Sequence, residues 1–286
     1  MRLDNSRESN NIEDRRGQRM TGARRGKVGL GAIVLALVAI YFGVDPNVVL
    51  QNMVEPTDTE ASYNGSGPTA QPTAETRFVS KVLADTEDAW DAIFQQQGWG
   101  AYQQPKLVLF SGATPTACGT GQSAMGPFYC PGDSKVYLDL SFFQQMAQEL
   151  KSPGDFAQAY VIAHEVGHHV QHLAGVTTQI DQMRRRVSPA EANQLSVKVE
   201  LQADCFAGVW AKHSDTQRAT LEQGDIEEAL NAATAIGDDR LQQQSQGYVV
   251  PDSFTHGTSA QRVRWFTRGF KSGDPAQCDT FKATSL

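Results

Sequence analysis

The chain has 286 residues, 40% of them hydrophobic and 20% charged, and a net charge of −7. That length leaves room for one large domain or two small ones with real cores, and the ordinary composition excludes a disordered or fibrous chain. The charge is uneven: residues 1–27 carry eight basic side chains against four acidic ones, so the rest is acidic, which argues against nucleic-acid binding.

In chain order, residues 1–27 read as a basic cytoplasmic tail. Residues 28–44 follow without a single charge and stop at Asp45-Pro46. Their length is within the roughly 17–25 residues of a membrane-spanning helix. The preceding arginines predict a cytoplasmic N-terminus, with the body on the far side. No Ala-x-Ala site follows the apolar run, which favours an anchor over a cleaved signal peptide. Residues 45–75, rich in Pro, Thr, Asn, Gly and Ser, read as a flexible linker.

The body, residues 76–286, reads as one α+β domain, helix-dominated, with a small sheet. Phe78, Val82, Trp90 and Phe94 recur at helical spacing up to Gly98. Residues 106–110 and 135–140 read as strands separated by a Gly-rich loop. Helices are predicted over 141–151, 155–174, 189–213, 225–236 and 258–270. The strand at 136–140 reads equally as an internal strand or as a sheet edge for an extended substrate. Cys118 and Cys130 bracket the Gly-rich loop and are the favoured disulfide in an oxidising compartment, whereas Cys205, inside a helical pattern, reads equally as a buried thiol.

The chemistry is concentrated in His164-Glu165-Val166-Gly167-His168. Residues four apart share a helix face, so His164 and His168 can each offer an imidazole nitrogen to one zinc ion. Glu165 is turned about 100° from that face and suits a general base rather than a ligand. Catalytic zinc needs a third protein ligand. His172 fails on distance, because eight helical residues rise about 12 Å. His169 points to the side and reads as a solvated or hydrogen-bonded helix residue. Glu200, on a later helix, is the predicted third ligand. Asp204, one turn on, is placed to accept the spare ring N–H of a ligating histidine. Gly167, Ala203 and Ala207 would let the two helices approach closely.

His164-Glu165-x-x-His168 followed by Glu200-x-x-x-Asp204 resembles the arrangement of the gluzincins, the thermolysin-like peptidases. The wider chain resembles the bacterial putative neutral zinc metallopeptidase family in Glu13-Asp14-Arg15-Arg16-Gly17, in residues 123–130 and 136–143, in Glu200-Leu201-Gln202-Ala203-Asp204-Cys205-Phe206-Ala207-Gly208 and in Ser253-Phe254-Thr255-His256-Gly257-Thr258. The resemblance implies a zincin-like domain binding one zinc ion, held by a single-pass membrane anchor outside the bacterial cytoplasm. His256 and Arg262 are similar to a His-Pro and later Arg in membrane-associated CAAX-processing and heat-shock peptidases, with Gly257 in place of Pro. Both are candidates to stabilise an oxyanion, with Tyr160 and Tyr248 weaker ones. The expected activity is hydrolysis of a protein or peptide substrate. The alternatives are a zinc-stabilised scaffold without catalysis and an amidase acting on cell-wall peptides.

Overall fold

The computed structural model describes residues 1–17 and 72–286. The apolar run at 28–44 and most of the linker lie outside the described residues. Among the described residues no helix is long and apolar enough to cross a membrane.

The body is a helix-dominated α+β unit with small sheets. Helix α1 (Ala74–Gln97) starts on a reciprocal cap between Thr73 and Thr76 and stops at Gly98, whose φ of 66° is left-handed. Strands β1 (Ile12–Asp14), β2 (Lys106–Phe110), β5 (Phe128–Cys130) and β6 (Lys135–Asp139) form one sheet in the order β1-β2-β6-β5. β1 and β6 flank β2 in parallel, and β5 runs antiparallel to β6. Strand β6 is therefore internal, one of its two readings, and the edges of the sheet are β1 and β5. The Gly-rich loop folds into a separate hairpin, β3 (Ala113–Thr116) with β4 (Gly119–Gln122).

The first residues are also part of this unit. Met1–Arg16 and Thr69–Leu286 form one compact body, which corrects the expectation of a separate tail for residues 1–16. Apolar periodicity could not reveal this, because β1 is three residues long and polar.

The helices that follow are α2 (Ser141–Gln148), α3 (Asp155–Leu173), α4 (Val176–Arg184), α5 (Pro189–Arg218), α6 (Asp225–Ala235), α7 (Asp238–Gln246) and α8 (Ser259–Ser272). Helices α3 and α5 cross at Gly167, where an added Cβ would come within 3.0 Å of the Ala203 carbonyl oxygen. α5 meets α8 through Gly208 against the Phe266 backbone and Gly269 against that of Cys205. The Cys205–Cys278 disulfide fastens the same contact, and Cys118–Cys130 ties the β3–β4 hairpin to the end of β5. Cys205 is thus paired rather than a free thiol.

Helix α5 runs five residues beyond its expected end. Arg218 in its last turn pairs with the buried Asp85 of α1 at 2.5 Å, and Trp210 donates to the same carboxylate at 2.9 Å. Helices α4 and α7 were not foreseen. Each buries little: Ile180 in α4 and Asp238 in α7 are their buried side chains, so neither turns an apolar face into the core.

Candidate metal centre

Helix α3 presents His164 and His168 on one face, and α5 brings Glu200 opposite them through the close Gly167–Ala203 crossing. Ligand atoms of these three residues all lie within 4.8 Å of one another. The Nε2 of His164 is 3.1 Å from one Glu200 carboxylate oxygen, and the Nε2 of His168 is 3.4 Å from the other.

The opposite ring nitrogens are held from behind. His164 Nδ1 donates to Asp204 Oδ1 at 2.8 Å, which turns Nε2 toward Glu200 and the shared ligand point. His168 Nδ1 donates to Gln171 Oε1 at 2.9 Å. Gln171 in turn donates to the Val199 carbonyl and to Gln202, locking its amide orientation. Gln171 was not singled out from the sequence. Its signal was present: it follows His168 by three residues, so it shares that histidine's helix face.

Asp204 is fully buried and is the hub behind His164. It accepts from Tyr160 Oη at 2.6 Å and from Arg262 twice, through Nε and Nη2, each at 2.9 Å. Burial alone would raise its pKa, but Arg262 and His164 outweigh burial and hold the carboxyl below its usual range. Glu200 is held well below the usual range against the same penalty by His168 and His164. For His164, burial pulls the imidazole down, yet Asp204 and Glu200 win and push it up to about 10. Bringing such a histidine to a metal means displacing a proton.

Glu165 is 8% exposed and lines the cleft in front of the group. Burial pushes its pKa up, even with His168 and His164 nearby, the direction that suits a base working near neutral pH.

The other predicted residues divide. His256 lines the same cleft, its side chain 52% exposed. Its Nδ1 pairs with Asp238 at 3.1 Å, and Asp238 also accepts backbone N–H groups from Thr255, His256 and Gly257. Burial opposes protonation of His256, but Asp238 and the charge of Glu200 raise its pKa overall. Arg262, by contrast, is 2% exposed and engaged in a fork with Asp204 behind His164. That geometry differs from a cation free to meet an oxyanion. Tyr160 is in the same network, while Tyr248 is 55% exposed and outside the cleft. His172 takes no part in the ligand group.

His169 has a different task. It is 1% exposed, and its Nε2 donates to the Gln103 carbonyl at 2.5 Å, so its Nδ1 must accept from Tyr129 Oη at 2.9 Å. Burial drives its pKa down to about 4. A neutral imidazole of fixed tautomer thereby ties β5 to the metal helix.

The cleft encloses about 580 Å³ and runs between β5 with the turn before it and helices α3 and α5. Its walls are largely apolar: Met125, Phe128, Phe142, Leu150 and Val161. A second acidic group, Asp155, Asp225 and Glu228, is where the starts of α3 and α6 meet. The ammonium of Met1 lies 2.9 Å from Asp155 and 3.3 Å from Asp225, so a cation already serves it.

Two imidazole Nε2 atoms and a carboxylate converging on one point, each imidazole with its spare N–H bonded away, fit zinc by donor type. The comparisons with known proteins agree. The uncharacterized protein YpfJ of Escherichia coli (strain K12) is 55% identical over 289 residues, covering 98% of this chain and 99% of the relative. The uncharacterized protein Rv2575 of Mycobacterium tuberculosis (strain ATCC 25618 / H37Rv) is 42% identical over 266 residues, covering 87% and 86%. No solved structure matches. The model of the putative neutral zinc metallopeptidase family matches residues 1–281, and the chain belongs to that family.

Proposed function

We propose that the chain hydrolyses peptide bonds, with His164, His168 and Glu200 holding one zinc ion and Glu165 acting as general base. The observation that carries this reading is the convergence of those three ligand groups on the floor of an open cleft, with a buried carboxylate of raised pKa beside them. Zinc bound there would supply a Lewis acid to polarise the scissile carbonyl. Glu165 takes the proton from the attacking water and is positioned to pass it to the leaving amine. His256, oriented by Asp238, faces the cleft as the group to meet the developing oxyanion. Asp204 orients His164, and Arg262 and Tyr160 hold Asp204, so these three position rather than catalyse.

Strand β5 offers the backbone edge along which an extended substrate can pair without its sequence being read. Specificity then falls to the walls, and their apolar side chains favour protein segments with apolar residues near the cut bond over the carboxylate-rich peptides of the cell wall. A structural zinc usually closes all four positions with protein ligands and needs no base, so the open cleft and Glu165 weigh against a scaffold. The two disulfides favour an oxidising compartment for the body, with residues 28–44 attaching it to the membrane.

The deciding experiment is Glu165→Gln. Zinc content by elemental analysis should stay at one ion per chain while cleavage of casein or a peptide library falls at least a hundredfold. Undiminished cleavage would remove Glu165 as the base.

A further inference from the structure

We propose that residues 1–17 stand on the same side of the membrane as the metal site, so that the protein holds the bilayer from one face instead of threading it once. The inference builds on the membrane attachment proposed above but not on the peptidase reading, and its test needs no activity.

The arginines before residue 28 point to a single crossing with a cytoplasmic N-terminus. A single crossing puts residues 1–17 on one side and residues 72–286 on the other. The structure puts them in one sheet. Strand β1 runs parallel to β2 in the register Ile12 to Leu107, Glu13 to Val108 and Asp14 to Leu109. Its flanks are bonded as well: the Leu107 N–H donates to Asn11 at 2.9 Å, and the Arg15 N–H donates to Leu109 at 2.7 Å.

Side chains carry the attachment further than a surface strand would need. The Glu87 carboxylate of α1 is 1% exposed, and its hydrogen bonds come from Ser9, Asn11 and Arg7. Leu3 is buried in the main core with Val79, Val82 and Leu83. Glu13 of β1 accepts from Lys135 of β6 at 2.8 Å, reaching past β2 to the next strand. Taking this segment across a membrane would leave Leu107 and Leu109, now fully covered, along an open sheet edge.

Three of the eight basic residues behind the single-crossing expectation are engaged within the body. Arg7 pairs with Glu87 and Asp88, Arg15 with Glu13, and Arg16 with Asp14. These three arginines serve the fold rather than standing free to be held back at a membrane. Even a fully helical run of seventeen residues reaches only about 26 Å, so the length of 28–44 allows one crossing and not two. With residues 1–16 and 72–286 in one body, a single crossing between them does not fit.

The test uses the full chain in a bacterial host, with single cysteines introduced at two exposed positions, Glu8→Cys and Lys282→Cys. The four native cysteines are in disulfides and do not react. Spheroplasts are treated with a membrane-impermeant maleimide before and after permeabilisation. Equal labelling of both variants before permeabilisation is the expected result. Labelling of Lys282→Cys from outside, with Glu8→Cys reacting only after permeabilisation, overturns the proposal. If both react only after permeabilisation, the shared side stands and the extracytoplasmic placement falls instead. Because Glu8 is exposed, its substitution leaves the packing of the body intact; a protease-protection assay of an epitope fused before Met1 gives an independent reading of the same question.

Discussion

At the scale of residues, the centre is organised around Asp204, a buried carboxylate that serves His164, Tyr160 and Arg262 at once. The Arg262 fork sets where both oxygens of Asp204 lie, and Asp204 in turn sets the tautomer of His164. Arg262→Lys keeps the charge but loses the fork. It should weaken zinc binding by about 10–100-fold, as should Asp204→Asn, while kcat at saturating zinc stays within a few-fold of the parent. Competition with a chromophoric chelator measures the first quantity and steady-state kinetics the second. A large fall in kcat with zinc affinity unchanged would instead place Arg262 on the oxyanion. Glu200→Ala should strip the metal altogether, and full zinc content in that variant would remove Glu200 from the site. The grouping of His164 with His168, and of Glu200 with Asp204, was legible because helix periodicity converts a spacing of four into a shared face; that the two pairs meet is set by the Gly167–Ala203 crossing. The task of Arg262 was not, since which way a guanidinium points depends on a contact 58 residues away in sequence. Gln171 was passed over because a glutamine carries no chemistry until a histidine is beside it.

At the scale of elements, the metal helix α3 and the edge strand β5 are coupled through Tyr129, His169 and the Gln103 carbonyl. This coupling requires a neutral imidazole, because His169 already donates to one partner and must accept from the other. Its folded pKa of about 4 is below the ordinary value of roughly 6.5. Between those pH values the unfolded chain binds the proton and the folded one does not, so stability rises with pH across the window. The contribution is fully present above pH 6.5 and is lost as pH falls through 4, with a ceiling of about 3 kcal/mol. His169→Gln retains a donor for Gln103 and cannot titrate. Urea unfolding at pH 7 and at pH 4.5 should show a smaller pH-dependent loss for His169→Gln than for the parent; equal losses would mean that His169 is not held neutral. The long helices and the paired strands β2 and β6 could be read from pattern alone, since each buries an apolar face. Helices α4 and α7 could not, because their places are set by loop geometry and by polar contacts such as Asp238 with the backbone of residues 255–257.

At the scale of the whole molecule, two disulfides close loops of very different length, 12 and 73 residues. The long one joins α5 to the C-terminal turn over the Gly208–Gly269 helix contact, and the short one joins the β3–β4 hairpin to β5 at the cleft. Their removal should therefore have separable consequences. In the chain-entropy view, opening the 73-residue loop costs about 4 kcal/mol and opening the 12-residue loop about 3 kcal/mol, each as an upper figure. The Cys205→Ala/Cys278→Ala pair should lower global stability by about 2–4 kcal/mol in urea unfolding, because it loosens the packing of α8 on α5 that holds Arg262 against Asp204. The Cys118→Ala/Cys130→Ala pair should act locally. Cys130 is the last residue of β5, so its release frees the edge on which a substrate would lie while leaving His164, His168 and Glu200 untouched. Zinc content should remain at one ion per chain and kcat should change little, while KM for long peptides rises several-fold and KM for short ones does not. A parallel rise for short peptides, or loss of zinc, would show that the hairpin supports the metal centre itself rather than the edge beside it.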